Sequence, residues 1–294
     1  MGIRLLDHAR KQTSYVFAGK PTSAAGFVSE AFLLLVSIAF TSASVAPLRP
    51  GFYAETCPEA EFIVKDVMRR NMIREPRSAA SVMRFQFHDC FVNSLKKSGG
   101  PEWEVKLGRE DSLTASQEDA DNIMPSPRAN ASLLIDLFER FNLSVKDMVA
   151  LSGSHSIGQA RCFSIVFRLY NQSGSGKPDP TIEPKYKEKL NRLCPLGGDE
   201  SVTGDLDATP TIFDNRYFKD LVAGRGFLNS DQTLYTFPET KKYVTLFSKD
   251  QRAFFKAFAE GMIKMGDLQS GRPGEIRSNC RIANSRPVDA LLVS

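Results

Sequence analysis

Only three histidines occur in the 294 residues, at positions 8, 88 and 155. His8 lies in a stretch with the features of a removable leader, so the working chain has two imidazoles, and any metal or acid–base chemistry built on histidine must use them. His155 sits in Val149–Cys162, V-A-L-S-G-S-H-S-I-G-Q-A-R-C. An apolar helical run ends just before it, and Ser156, Ile157 and Gly158 turn the chain away behind it. A ring so placed either reaches from a helix end into an apolar cavity and holds a metal through one nitrogen, or is satisfied by a carbonyl.

The second imidazole lies in Met83–Val92, M-R-F-Q-F-H-D-C-F-V. Arg84 and His88 are four apart, which on a helix stacks guanidinium and imidazole on one face. Phe85, Phe87 and Phe91 make their surroundings apolar. A base and a permanent cation in an apolar site suit the heterolysis of a peroxide: the base takes the first proton, and the cation holds the charge that builds as the O–O bond breaks.

Together these two stretches resemble the plant secretory (class III) haem peroxidases. Arg84-x-x-Phe87-His88-Asp89-Cys90 is similar to the distal motif of that family, and Leu151-Ser-Gly-Ser-His155-Ser-Ile-Gly158 to its proximal motif. Further similarity runs through Gly99–Ser112, Ala208–Asn215, Leu228–Gln232 and Ile276–Arg281. The resemblance implies a mainly α, haem-peroxidase-type helical fold whose two halves, 51–144 and 145–281, enclose haem b. It implies His155 as the axial iron ligand and Asp231 as the carboxylate behind it. His88 and Arg84 become the catalytic pair, with Phe87 beside them. It also implies Pro125 at the substrate entrance and a proximal calcium site from Ser156, Asp207, Thr209, Ile212 and Asp214. Two departures mark that site: Ser156 stands where threonine is usual, and Asp207 and Thr209 are two apart where many members have three. Asp89 and Val92 match a remnant of the distal calcium site, and Cys162 and Cys194 match a disulfide pair. The expected reaction reduces hydrogen peroxide at the expense of small phenols.

Helical spacing is expected over Pro58–Asn71, Ser132–Phe141, Lys185–Leu193, Asn215–Val222 and Gln251–Met265, where Phe254, Phe258, Met262 and Met265 form a core stripe. Ser144-x-x-Asp147 reads as a capping box opening the helix that delivers His155. Strand signals are few: Trp103–Leu107 and short pieces around Phe227. A net charge of +4 gives no reason to invoke nucleic acid.

Ala31–Phe40 is an unbroken apolar run followed by small residues to Ala46, the pattern of a secretory signal and too short to span a bilayer. The expected organisation is therefore a targeting region over 1–46, a peroxidase domain over 47–281 and a tail over 282–294, in a monomer exported to the cell wall. The apolar end Ala290–Val293 hints at vacuolar sorting. Asn130, Asn142 and Asn171 each begin an Asn-x-Ser sequon, which fits passage through the endoplasmic reticulum.

One stretch departs from the family pattern. After Asn93 the family continues with a calcium loop and helices before Gly-Gly-Pro-x-Trp; here five residues separate Asn93 from Gly99, and roughly sixty are absent. The five cysteines agree, since Cys57, Cys90 and Cys280 would have had partners in that stretch. Losing one native disulfide costs about 2–5 kcal/mol, so a weakened or inactive enzyme is expected.

Overall fold

The computed structural model describes residues 47–75, 80, 98–114, 116–269, 273–279 and 282–284. Arg84, Phe87, His88, Asp89, Cys90, Val92 and Cys280 lie outside the described residues, as do residues 1–46, where a targeting region is expected. In chain order the helices are α1 (Ala60–Arg74), α2 (Gln117–Ile123), α3 (Ala131–Glu139), α4 (Val145–Ser152), α5 (Val166–Tyr170) and α6 (Pro184–Leu193). They continue with α7 (Arg216–Val222), α8 (Asn229–Thr236), α9 (Pro238–Lys249) and α10 (Gln251–Gly266).

Helix α4 lies at the centre, and its start follows from the sequence. Ser144 is extended and accepts the Asp147 backbone N–H, while Asp147 Oδ2 takes the Ser144 N–H at 2.9 Å. Each side chain thus satisfies a donor that the first helical turn leaves without a partner. Met148, Val149 and Ala150 are fully buried, and α4 packs against α3, α9 and α10. Lys264 of α10 closes on the same carboxylate at 2.7 Å. Burial pushes the Asp147 carboxyl up, but the hydrogen bonds from Lys264 and Ser144 outweigh burial and leave it below the usual carboxylate range.

Around α4 the core is aromatic. Phe213 stacks on Phe254 with centroids 5.4 Å apart, and Phe218 meets Phe254 edge-on at 4.8 Å. Such pairs contribute beyond the area they bury. The helical stripe of α10 is core as expected: Phe254, Phe258 and Met262 are buried, and Met265 packs at its edge. A second apolar cluster, with Ile165, Leu169 and Leu190, surrounds the Cys162–Cys194 disulfide.

Elsewhere the structure corrects the expectations. Trp103–Leu107 is no strand; only an isolated bridge joins Leu107 to Arg49, because Trp103 is drawn edge-on to Phe258 instead. Phe227 is buried without being in a strand. Among the described residues the strands are short antiparallel pairs, β1 (Asp111–Ser112) with β4 (Gly274–Glu275) and β2 (Gln159–Arg161) with β3 (Thr203–Asp205). Within the helical spacing expected over Ser132–Phe141 and Pro58–Asn71, Leu133 of α3 and Ile63 and Val67 of α1 are exposed. Periodicity identifies a stripe, not whether another element covers it.

Replacing Asp147 with Asn should destabilise the fold by about 1–2 kcal/mol, as lost caps do, in urea unfolding at pH 7. Because the folded carboxyl is depressed, its contribution is present above the unfolded value of 3.8 and is lost as pH falls through the folded one. The difference between variant and parent should therefore shrink as pH falls below 3.8.

Candidate active site

The end of α4 tightens into a 3₁₀ turn, Gly153–Ser156, which carries His155. Gly153 is required there for space: a Cβ would lie 2.4 Å from a ring carbon of Phe254. The turn therefore rests directly on the aromatic core. Gly158 then reverses the chain at φ +107°, a backbone conformation open mainly to glycine.

His155 Nδ1 lies 2.7 Å from Asp231 Oδ1. Asp231 stands in the first turn of α8 and is 1% exposed. Its Oδ1 also accepts the Tyr217 hydroxyl at 2.9 Å, and Oδ2 accepts the Leu228 N–H at 2.9 Å. Burial, and then the charge of Asp231, push the Tyr217 phenol well above its ordinary value, so it stays a donor. Facing a carboxylate, Nδ1 carries the ring hydrogen, and in the neutral ring this puts the lone pair on Nε2. Sequence reasoning missed Tyr217, which carries no local signal of its role.

The approach to α8 is held by a second residue that sequence reasoning missed. Arg168 is fully buried, pairs through Nε with Asp179 Oδ2 at 2.7 Å, and donates through one terminal nitrogen to the carbonyls of Gly226 and Phe227. A guanidinium so placed ties down the strand of chain that enters the helix of Asp231.

His155 lines a cavity of about 700 Å³, within the range of small-molecule and cofactor sites. Pro125, Leu134 and Phe138 contribute from the first half of the chain, and Leu151, Asp231 and Met262 from the second. Glu75 and Ala80 also reach it. Pro125 and His155 thus share one cavity, and Asp231 is both its lining and the partner of His155. Among the described residues, largely apolar walls around the oriented imidazole of His155 suit a flat, largely apolar cofactor with a metal at its centre.

Behind His155, Ser156 Oγ is surrounded by oxygen: the Asp214 carbonyl at 2.9 Å, the Ile212 carbonyl at 3.3 Å and Asp207 Oδ2 at 3.4 Å. Thr209 Oγ1 lies 3.3 Å from both Asp214 carboxylate oxygens. Burial pushes the Asp207 carboxyl up to about 7, aided by the nearby charges of Asp214 and Asp220. Arg216 and Arg225 meet Asp220, whereas the carboxylates of Asp207 and Asp214 are met by the hydroxyls of Ser156 and Thr209 and by the backbone N–H groups of Thr209 and Arg216. All five residues expected at a calcium site are therefore neighbours.

Comparison with known proteins agrees with this geometry. A family model described as Peroxidase matches residues 93–250. Peroxidase 17 of Arabidopsis thaliana is 60% identical over 323 aligned positions, covering 90% of this chain and 97% of that protein. Peroxidase C2 of Armoracia rusticana is 35% identical, covering 90% and 95%, and Peroxidase N of the same plant is 37% identical, covering 83% and 93%. A helical fold around one imidazole–carboxylate pair, with this much shared sequence, defines an oxidoreductase of the haem peroxidase class. The chain belongs to the peroxidase family, in its plant class III branch.

Arg168→Ala would strand the buried Asp179 carboxylate and should cost about 3–5 kcal/mol, the usual penalty for breaking a buried pair. Chemical denaturation checks this; a loss within the small range of surface substitutions would contradict the role given to Arg168.

Proposed function

We propose that this chain is a secreted peroxidase that reduces hydrogen peroxide and oxidises small phenols, holding haem b by His155 and calcium behind it. The observation that carries the reading is the Asp231 carboxylate behind His155, on the wall of the cavity that Pro125 also lines. Haem, when bound, supplies the redox-active iron. This chain's residues orient it, exclude water and move protons. Asp231 holds the ring hydrogen of His155 and makes the ligand more electron-rich. His88 takes the proton from peroxide and returns it to the departing oxygen, while Arg84 holds the charge that builds there. By resemblance to the family, Phe87 would help these groups keep donors from the centre of the site. Phenols then approach at the edge by Pro125 and give up one electron at a time.

Ser156, Asp207, Thr209, Ile212 and Asp214 would hold the calcium. Hard oxygen donors and two carboxylates are the set such an ion takes, and its charge would offset the burial of Asp207. A cation there braces the turn that carries His155. Asp89 and Val92 alone offer too few oxygens for a distal ion.

Turnover is set low by the missing stretch after Asn93. The alignment with Peroxidase 17 spans 323 positions, more than the chain contains, and the family match begins at residue 93. Among the described residues Cys57 is an exposed free thiol, in keeping with lost disulfide partners. A second reading, a catalytically inactive truncated or splice product that binds haem weakly or acts as a non-enzymatic wall or secretory protein, is favoured by the same observations.

The organisation proposed is a leader over 1–46, a monomeric peroxidase domain over 47–281 and a tail over 282–294, in the cell wall or vacuole. The apolar run Ala31–Phe40 supports export. Among the described residues no helix is long and apolar enough to cross a membrane.

Reconstituted protein should show a Soret band that changes on adding peroxide, and should oxidise a simple phenol; a band indifferent to peroxide would leave the non-enzymatic reading. His155→Ala should lose the band. Asp231→Asn should lower haem affinity or turnover about 10–100-fold, as outer partners of metal ligands do. Chelation should lower the melting temperature, with recovery on adding calcium but not magnesium, which demands a tighter and more regular site. An unchanged melting curve would contradict the calcium assignment.

A further inference from the structure

A second cleft, of about 550 Å³, lies apart from the His155 cavity. The segment Pro127–Arg128 and the start of α8 stand between the two: Pro127 and Ser230 line the cavity, whereas Arg128 and Asn229 line the cleft. Two of the three sequon asparagines, Asn130 and Asn171, line this one cleft, though they are far apart in sequence. A single amide joins their loops: Asn229 donates to the carbonyls of Arg128 and Ala129 and accepts from Gln172 Nε2 at 2.9 Å.

The lining has the chemistry of a sugar site. Gln172 lines the cleft; its Oε1 accepts no hydrogen bond and is closed to solvent as the side chain stands, so a donor from a ligand would satisfy it only after the amide turned toward the cleft. Arg128 lies over the Phe167 ring, 4.7 Å from its centroid, and 5.8 Å from that of Phe163. That stack leaves a flat cationic and aromatic wall beside hydroxyls of Thr233 and Thr236. Sugars present apolar C–H faces to such walls and hydroxyls to such amides.

Asn171 is poised for modification. It is exposed, and its Oδ1 accepts the Gly176 N–H at 2.8 Å, so the acceptor is used within the loop while Nδ2 is the atom a glycan takes. Resting on the secretory reading above, we propose that the cleft seats the proximal N-acetylglucosamine units of a glycan carried by Asn171. In attachment, Nδ2 forms its bond to the anomeric carbon of a lipid-diphosphate-linked oligosaccharide; the lipid diphosphate leaves with the bonding pair, and the amide proton is lost to base. With the Gln172 amide turned toward the cleft, a hydroxyl or acetamide N–H of the seated sugar donates to its Oε1, and a pyranose face lies along Arg128 and Phe167. The glycan thereby bridges the Asn171 loop to the start of α3.

Glycopeptide mass spectrometry on the full chain from a eukaryotic secretory host tests this, with Asn142 as the internal reference. Asn142 is exposed and does not line the cleft. On native protein, peptide:N-glycosidase should release the Asn171 glycan about tenfold more slowly than the Asn142 glycan, the factor expected of one or two seated hydrogen bonds. Denaturation should abolish the difference. Arg128→Ala with Gln172→Leu should also abolish it in folded protein, with the Soret band retained as the check of folding. Equal native release from both sites, or a bare Asn171 beside a glycosylated Asn142, would overturn the seat while leaving secretion standing. Three bare sequons would overturn secretion, and the seat with it.

Discussion

One carboxylate determines what the rest of the site can be. Asp231 accepts three hydrogen bonds at 2.7–2.9 Å, from an imidazole, a phenol and a backbone amide, and is itself only 1% exposed. Burying a carboxylate is costly unless its lone pairs are met. The structure meets them with groups from three places: the turn after α4, helix α7 and the start of α8. The same geometry orients His155. Stability of the buried acid and orientation of the ring are therefore one requirement.

Support for this arrangement reaches outward in both directions. On one side Gly153 lets the His155 turn lie on Phe254, so the ring position is referred to the aromatic core. On the other, Arg168 holds the carbonyls of Gly226 and Phe227 just ahead of α8. The Ser156 cluster adds a third support, because the residue next to the imidazole is surrounded by oxygens of the 207–214 loop. An imidazole fixed from three sides is prepared for a metal before one arrives, which lowers the ordering cost of binding.

Much of this was legible in the sequence where the signal is local. The capping box at Ser144 and the stripe of α10 follow from spacing, and both are present in the structure. Asp231 was reachable only through family resemblance, since its partner is 76 residues away and nothing nearby distinguishes it from other acids. Tyr217 and Arg168 were not reached at all: each reads as an ordinary helical residue until tertiary packing buries it. Strands of two or three residues are equally silent, because their pairing partners, not their own composition, create them. Helix α1 shows the reverse error: Ile63 and Val67 follow the helical spacing and are nevertheless exposed.

The central claim is that His155 is an iron ligand whose character Asp231 sets. It is tested most directly by resonance Raman spectra of the reduced, haem-reconstituted protein, in the parent and in Asp231→Asn. The account predicts an iron–imidazole stretching band in the parent that moves to lower frequency in the variant, as the ring loses the carboxylate that makes it electron-rich. A band unmoved by the substitution, or no iron–imidazole band in the parent, would contradict it.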